Sequence, residues 1–189
     1  YDEAWLAEAQ RRGLPNFRTA PDAIPHLTDE KNVVLFAEHR VLSQTELTAR
    51  RTIMLESYAK VIGIEALTMI NMVNKQILPA VSAYTGELSR TGKEKLAVCP
   101  DANADYEKSA IVKLSALCGK MFASVGQLEK LYAEAEKESD ALAAALRARD
   151  LLLPVMDTLR AAADEAEEIV PREEWPFPTY GDLLFGVSK

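Results

Sequence analysis

Few side chains in this sequence have the type and spacing that chemistry demands. The two histidines, His26 and His39, lie in the N-terminal segment, and the two cysteines are Cys99 and Cys118. A catalytic thiol needs an imidazole partner, and that distribution gives neither cysteine an obvious one. No His-x3-His or Cys-x2-Cys spacing occurs, so a metal held by nitrogen or sulfur is not expected. The Glu-x-x-His pair that di-iron helical bundles require is also missing. Eight glycines are scattered without the clustering that cradles a phosphate. One polar set does share a helical face: Glu65, Thr68, Asn71 and Lys75 recur at steps of 3, 3 and 4. Such a strip serves either as a small-ligand or subunit contact, or as a polar seam satisfied by partner helices and water. Arg50 and Arg51 can meet an anion or remain solvated. On these grounds no catalytic, cofactor-binding or metal-binding residue is assigned.

The elements that carry these residues are helical. Ser43 and Glu46 form a capping box at the start of a very long helix. Within it Leu55, Tyr58, Ile62, Ala66, Met69, Val73, Ile77, Ala80, Tyr84 and Leu88 make one apolar stripe, repeating every 3.67 residues or so. Between Val61 and Val73 the other faces are largely apolar too, which predicts a central post surrounded by protein. Pro79 lies inside the post and predicts a kink near Lys75 to Ile77. The helix is expected to stop around Gly92, with a connector over 93–104. A second long helix over 105–139 carries Ile111, Leu114, Cys118, Met121, Val125, Leu128, Tyr132 and Ala135 at alternating steps of 3 and 4. That 3.5-residue period marks antiparallel packing. A third, over 140–170, repeats the pattern with Leu152, Met156, Leu159, Ala163, Ala166 and Val170, and Pro154 predicts a second kink. Ser139 and Asp140 suit either a tight turn or an interrupted helix, and the bundle favours the turn.

The fold class is therefore all-α: an antiparallel bundle of three long helices, two of them kinked at Pro79 and Pro154. Short N-terminal helices and an aromatic C-terminal tail complete it. The organisation read from sequence is 1–42 for the short helices and Pro-rich loop, 43–174 for the bundle and 175–189 for the tail. The first helix is expected over 2–12, with Gly13 as its stop. Pro15, Pro21 and Pro25 predict an ordered loop holding about one turn of helix. Thr28 is expected to cap the next helix, running through His39.

At 189 residues the chain has enough length for one domain with a substantial core. It starts at Tyr1 rather than Met, so a fragment of a longer polypeptide is expected. No run of 18 apolar residues exists, which argues against a membrane span. The net charge of −7 is local, with 13 acids against 6 bases between Glu129 and Glu174 and an even balance elsewhere. This marks a solvated face, and without a basic stripe nucleic acid is not an expected partner. Two widely spaced cysteines suit a reducing, cytoplasmic setting, with Cys118 packed as a small apolar residue.

Two apolar patches need a surface. Trp5 and Leu6 form one on the first helix. The tail supplies the other, with four aromatics within eleven residues, each able to remove about 150–250 Å² from water. The interface candidates are Trp5, Leu6, Trp175, Phe177, Tyr180, Leu184 and Phe185. The tail either folds back on its own bundle or docks onto another domain or subunit.

Three stretches carry a family likeness: RRGLPNFRTAPDAIPHLTDEKNVVLF (Arg11 to Phe36), IEALTMINMVNKQILPAVSAY (Ile64 to Tyr84) and WPFPTYGDLLF (Trp175 to Phe185). In order along essentially the whole chain, they resemble the C-terminal region of type III glutamine synthetase. The resemblance implies a fragment of a glutamate–ammonia ligase, whose β-grasp-like and catalytic domains precede this region. It implies ATP and Mg²⁺ or Mn²⁺ in that absent catalytic domain, where glutamates on sheet strands hold the metals. None of those strand motifs occurs here, so no catalytic residue is carried over, no cofactor is expected in this piece, and alone it is expected to be inactive. The implied partners are its own catalytic domain and neighbouring subunits in stacked hexameric rings. The expected role is structural, assembly-related or regulatory. The alternative is a free-standing helical interaction module without enzymatic activity.

Overall fold

The computed structural model describes residues 3–178 and 180–186, with the side chains at 3, 180 and 181 left outside that description. Among the described residues 79% are helical and none is in a strand. The chain divides into two compact units, Tyr1–Gly63 with Ala135–Asp150, and Ile64–Glu134 with Leu151–Lys189.

The first unit begins with α1 (Glu3–Arg11), which Gly13 closes at φ 74°. The left-handed turn lets Leu14 donate its N–H to the Ala9 carbonyl at 2.9 Å. Next come α2 (Ala20–Ala23), a 3-10 turn (Ile24–Thr28) and α3 (Glu30–Glu38). The Pro-rich segment thus holds more helix than one turn. Pro21 and Pro25 each sit in the opening turn of an element, where a missing N–H costs nothing. Thr28 does not cap α3. Its hydroxyl bonds back to the Pro25 carbonyl at 3.1 Å, and Asp29 takes the N-cap position, its carboxylate 2.8 Å from His26 Nδ1.

Helix α4 (Gln44–Met72) opens on the capping box, with Ser43 N–H donating to Glu46 Oε2 at 2.7 Å. That backbone hydrogen bond holds the Glu46 carboxyl below its ordinary value. Leu55 packs with Ile24 and Ala145 in the core of this unit, with Tyr58 and Leu142 around them. Ala145 belongs to α7 (Ala141–Arg147), which starts at Asp140, whose carboxylate accepts from the Ala143 N–H at 2.8 Å. The chain therefore breaks between Ala135 and Ala141, as Ser139 and Asp140 predict. Arg149 fastens the segments: its Nη1 reaches Asp22 Oδ1 at 2.5 Å, and its Nε reaches Asp150 Oδ1 at 2.6 Å.

In the second unit α4 passes into a π turn (Val73–Ile77) and then α5 (Leu78–Val98). The Leu78 N–H reaches the Val73 carbonyl, one residue farther back than in an α-helix. Pro79 follows two residues behind this turn, and Pro154 stands at the same offset behind a second π turn (Ala148–Leu152) leading into α8 (Leu153–Glu167). A proline ring collides with the carbonyl four residues back, and a widened turn moves that carbonyl aside. Helix α6 (Asp105–Ala135) lies between these runs in sequence, and α9 (Tyr180–Leu184) closes the described chain.

Gly92 does not end the post, which continues to Val98. It is buried, and a Cβ built there would stand 3.4 Å from Glu107 Cβ on α6. The glycine accommodates a close approach of two helices, not a cap. Lys95 meets the same Glu107 at 2.5 Å, and this ion pair holds the buried carboxyl below its ordinary value. Tyr84 and Tyr106 bring their hydroxyls to 3.3 Å, which with burial pushes Tyr84 up to about 12.

The apolar seams lie inside. Every residue of the post stripe from Leu55 to Leu88 is buried or half-buried, as are the seams of α6 and α8. Cys118 is half-buried, which pushes its thiol up, while Cys99 is exposed. By length and composition α6 is apolar enough to cross a membrane. Leu114, Met121 and Leu128 on its inner face are fully buried in the unit's core. The post is not surrounded between Val61 and Val73, however, because Val61, Ile64 and Leu67 are exposed by 49%, 64% and 44%.

Candidate functional site

The side chains with chemical potential are scattered rather than convergent. Among the described residues no group of three or more His, Cys, Asp or Glu could hold a metal ion. His26 stacks on Phe17 with ring centroids 4.3 Å apart. The polar strip runs along the end of α4 into the π turn. Glu65, Thr68, Asn71 and Lys75 are all exposed, and the Thr68 hydroxyl is committed to the Ile64 carbonyl at 2.8 Å. Of the four, Glu65 lines a cavity.

That cavity is a cleft of about 630 Å³ in the second unit. Its apolar lining includes Met69, Met72 and Val73 from the end of α4 and the π turn, and Met156 and Ala163 from α8. The tail supplies Trp175, Phe177, Pro178 and Leu183. The lining also includes Glu65, Asp157, Asp164 and Glu167, with Arg160 as the one basic lining residue among those described. Arg160 donates its Nε to Asp164 at 2.7 Å. The spacing of 157, 160, 164 and 167 places these charges along one edge of α8, beside the apolar seam.

The interface candidates fall into different environments. Trp175 is buried at 8% exposure and Phe177 is half-buried, both on the cleft. Their rings meet edge to face with centroids 6.4 Å apart. Leu184 and Phe185 are exposed by 72% and 76%. Arg172 pairs with Asp182 of α9. Trp5 and Leu6 are exposed on α1, and the side chain of Tyr180 lies outside the described residues.

Sequence reasoning missed the cleft and the two charged clasps. Met69 and Met156 were legible only as seam residues, because periodicity reports burial and not a void beside it. Nothing in local spacing pairs Lys95 with Glu107 or Arg149 with Asp22.

Comparison with known proteins adds a family. A family model described as the glutamine synthetase C-terminal domain matches residues 1–95. The chain is 33% identical over 187 residues to a glutamine synthetase of Butyrivibrio fibrisolvens, covering 99% of this chain and 27% of that protein. It is 26% identical over 189 residues to a type-3 glutamine synthetase of Dictyostelium discoideum, covering 98% of this chain and 26% of that protein. A glutamine synthetase of Bacteroides fragilis (strain YCH46) is also 26% identical, over 193 residues and with the same coverage. The chain spans about a quarter of the length of these curated relatives.

Proposed function

The chain belongs to the glutamine synthetase C-terminal domain family, and from that membership we propose that it is a non-catalytic helical domain serving assembly or regulation of an ATP-dependent glutamate–ammonia ligase. The parent reaction joins ammonia to glutamate at the expense of ATP, with Mg²⁺ or Mn²⁺ supplied in a catalytic region outside this sequence. The proposed setting is cytoplasmic, and the proposed contacts are that catalytic region and neighbouring subunits of a ring-forming homo-oligomer.

The observation that carries this reading is the outer face of α4. Ile53, Met54, Val61, Ile64 and Leu67 are all exposed, by between 44% and 64%. Exposed apolar side chains of this size, gathered on one element, mark an interaction surface. Leu183, Leu184 and Phe185 add a second candidate contact at the tail. Within the domain, we propose that the three long helical runs pack antiparallel and bend at Pro79 and Pro154. Short connectors at 99–104 and 136–140 and the Gly92–Glu107 approach support that arrangement.

The test is the mass of the full native polypeptide in solution, wild type against Ile64→Ser with Leu67→Ser. The expected result is a smaller assembly or a lower yield of the complete one, with the helical spectrum intact. An unchanged assembly with unchanged glutamine formation would remove the docking role.

A further inference from the structure

We propose that the cleft of the second unit binds a small amphipathic organic cation, an aryl or alkyl body carrying an amine. At about 630 Å³ the cleft has the size of a small-molecule site. Its lining is apolar and adaptable: Met69, Met72 and Met156 supply three unbranched thioether side chains, and Trp175 and Phe177 line it as well. Methionines repack around ligands of different outline, which suits recognition of a body by its apolarity rather than by one fixed shape.

The border sets the ligand's charge. Four carboxylates, Glu65, Asp157, Asp164 and Glu167, stand there against the single guanidinium of Arg160, which is itself bonded to Asp164. A surface of that sign attracts a cation and repels carboxylates and phosphates. Glutamate and nucleotides are therefore poor occupants, and an amine with an apolar body satisfies both the lining and the border. Glu65 stands on α4 and the other three acids on α8, so acids line the cleft from both helices.

Equilibrium dialysis of the full native polypeptide against 4-phenylbutylamine and against 4-phenylbutanol tests the proposal. The two probes share a body and differ in the head. The amine is expected to bind saturably and about tenfold more tightly than the alcohol, the ratio that roughly 1.4 kcal/mol of added interaction produces. Glu65→Gln combined with Glu167→Gln is expected to remove that advantage and leave the alcohol unchanged. Both residues are exposed, so the change spares the core. Met72→Gln is expected to weaken both probes. No saturable amine binding, equal binding of amine and alcohol, or indifference to all three substitutions would each overturn the assignment.

Discussion

The post helix has two apolar faces, and among the described residues only one of them is buried. Leu55, Ile62 and Ala66 lie on the inner stripe and are almost wholly buried. Ile53, Val61 and Ile64 differ little from them in type, yet roughly half or more of each stays in water. Side-chain chemistry is the same on both faces, so what separates them is whether this chain supplies a partner. A sequence under selection for this domain alone would gain little from the outer set. The inner face specifies the fold, and the outer face is the one proposed above to dock.

The largest effect is expected on the inner face. Leu55→Ala removes a side chain with 1% exposure from the core of the first unit and is expected to cost about 2–5 kcal/mol, read as a lower urea midpoint. A cost as small as that of an outer-face substitution would break the comparison.

The glycines of α5 sharpen it on another helix. Gly92 faces Glu107 at close range, whereas nothing lies within 4 Å of a Cβ at Gly86. Gly92→Leu is expected to cost about 1–3 kcal/mol through overpacking. Gly86→Ala is expected to gain about 0.5–1 kcal/mol, because alanine has the lower entropic penalty in a helix. Thermal melts of both variants beside wild type read the difference.

Acid should act through the buried side as well. Lys95 holds the Glu107 carboxyl below its ordinary value of 4.5, so the unfolded chain binds the proton more tightly. The stability this pair adds is fully present above 4.5 and is lost as pH falls through the lower folded value. Glu107→Gln is expected to flatten that part of the stability–pH curve, measured by urea unfolding at successive pH values. The smallest effect on stability belongs to the outer face, where Ile64→Ser is expected to change the urea midpoint by no more than about 0.5 kcal/mol equivalent.

The inner face was legible because burial follows helical period, and the stripe from Leu55 to Leu88 needed only residue types and spacing. The capping box at Ser43 and the break before Asp140 were legible for a similar reason, since local side chains satisfy local backbone groups. Three other features depended on distant partners. Gly92 reads as a stop until Glu107 is known to approach it. Thr28 reads as a cap until its hydroxyl is seen bonded to Pro25. The run from Val61 to Val73 reads as enclosed because composition reports apolarity and not what covers it. The cleft was hidden for the complementary reason, since its methionines look like core and its acids look like surface. Family likeness came from ordered stretches such as WPFPTYGDLLF, whose residues specify more than a period does.

The central claim is tested most directly by ammonia-dependent phosphate release from ATP and glutamate. The full native polypeptide and the 189-residue chain would be assayed side by side, each with its helical spectrum recorded. Phosphate release by the full polypeptide and none by the folded chain is the predicted result. Turnover by the chain alone, or none by the full polypeptide, would contradict the reading of this domain as the non-catalytic part of a synthetase.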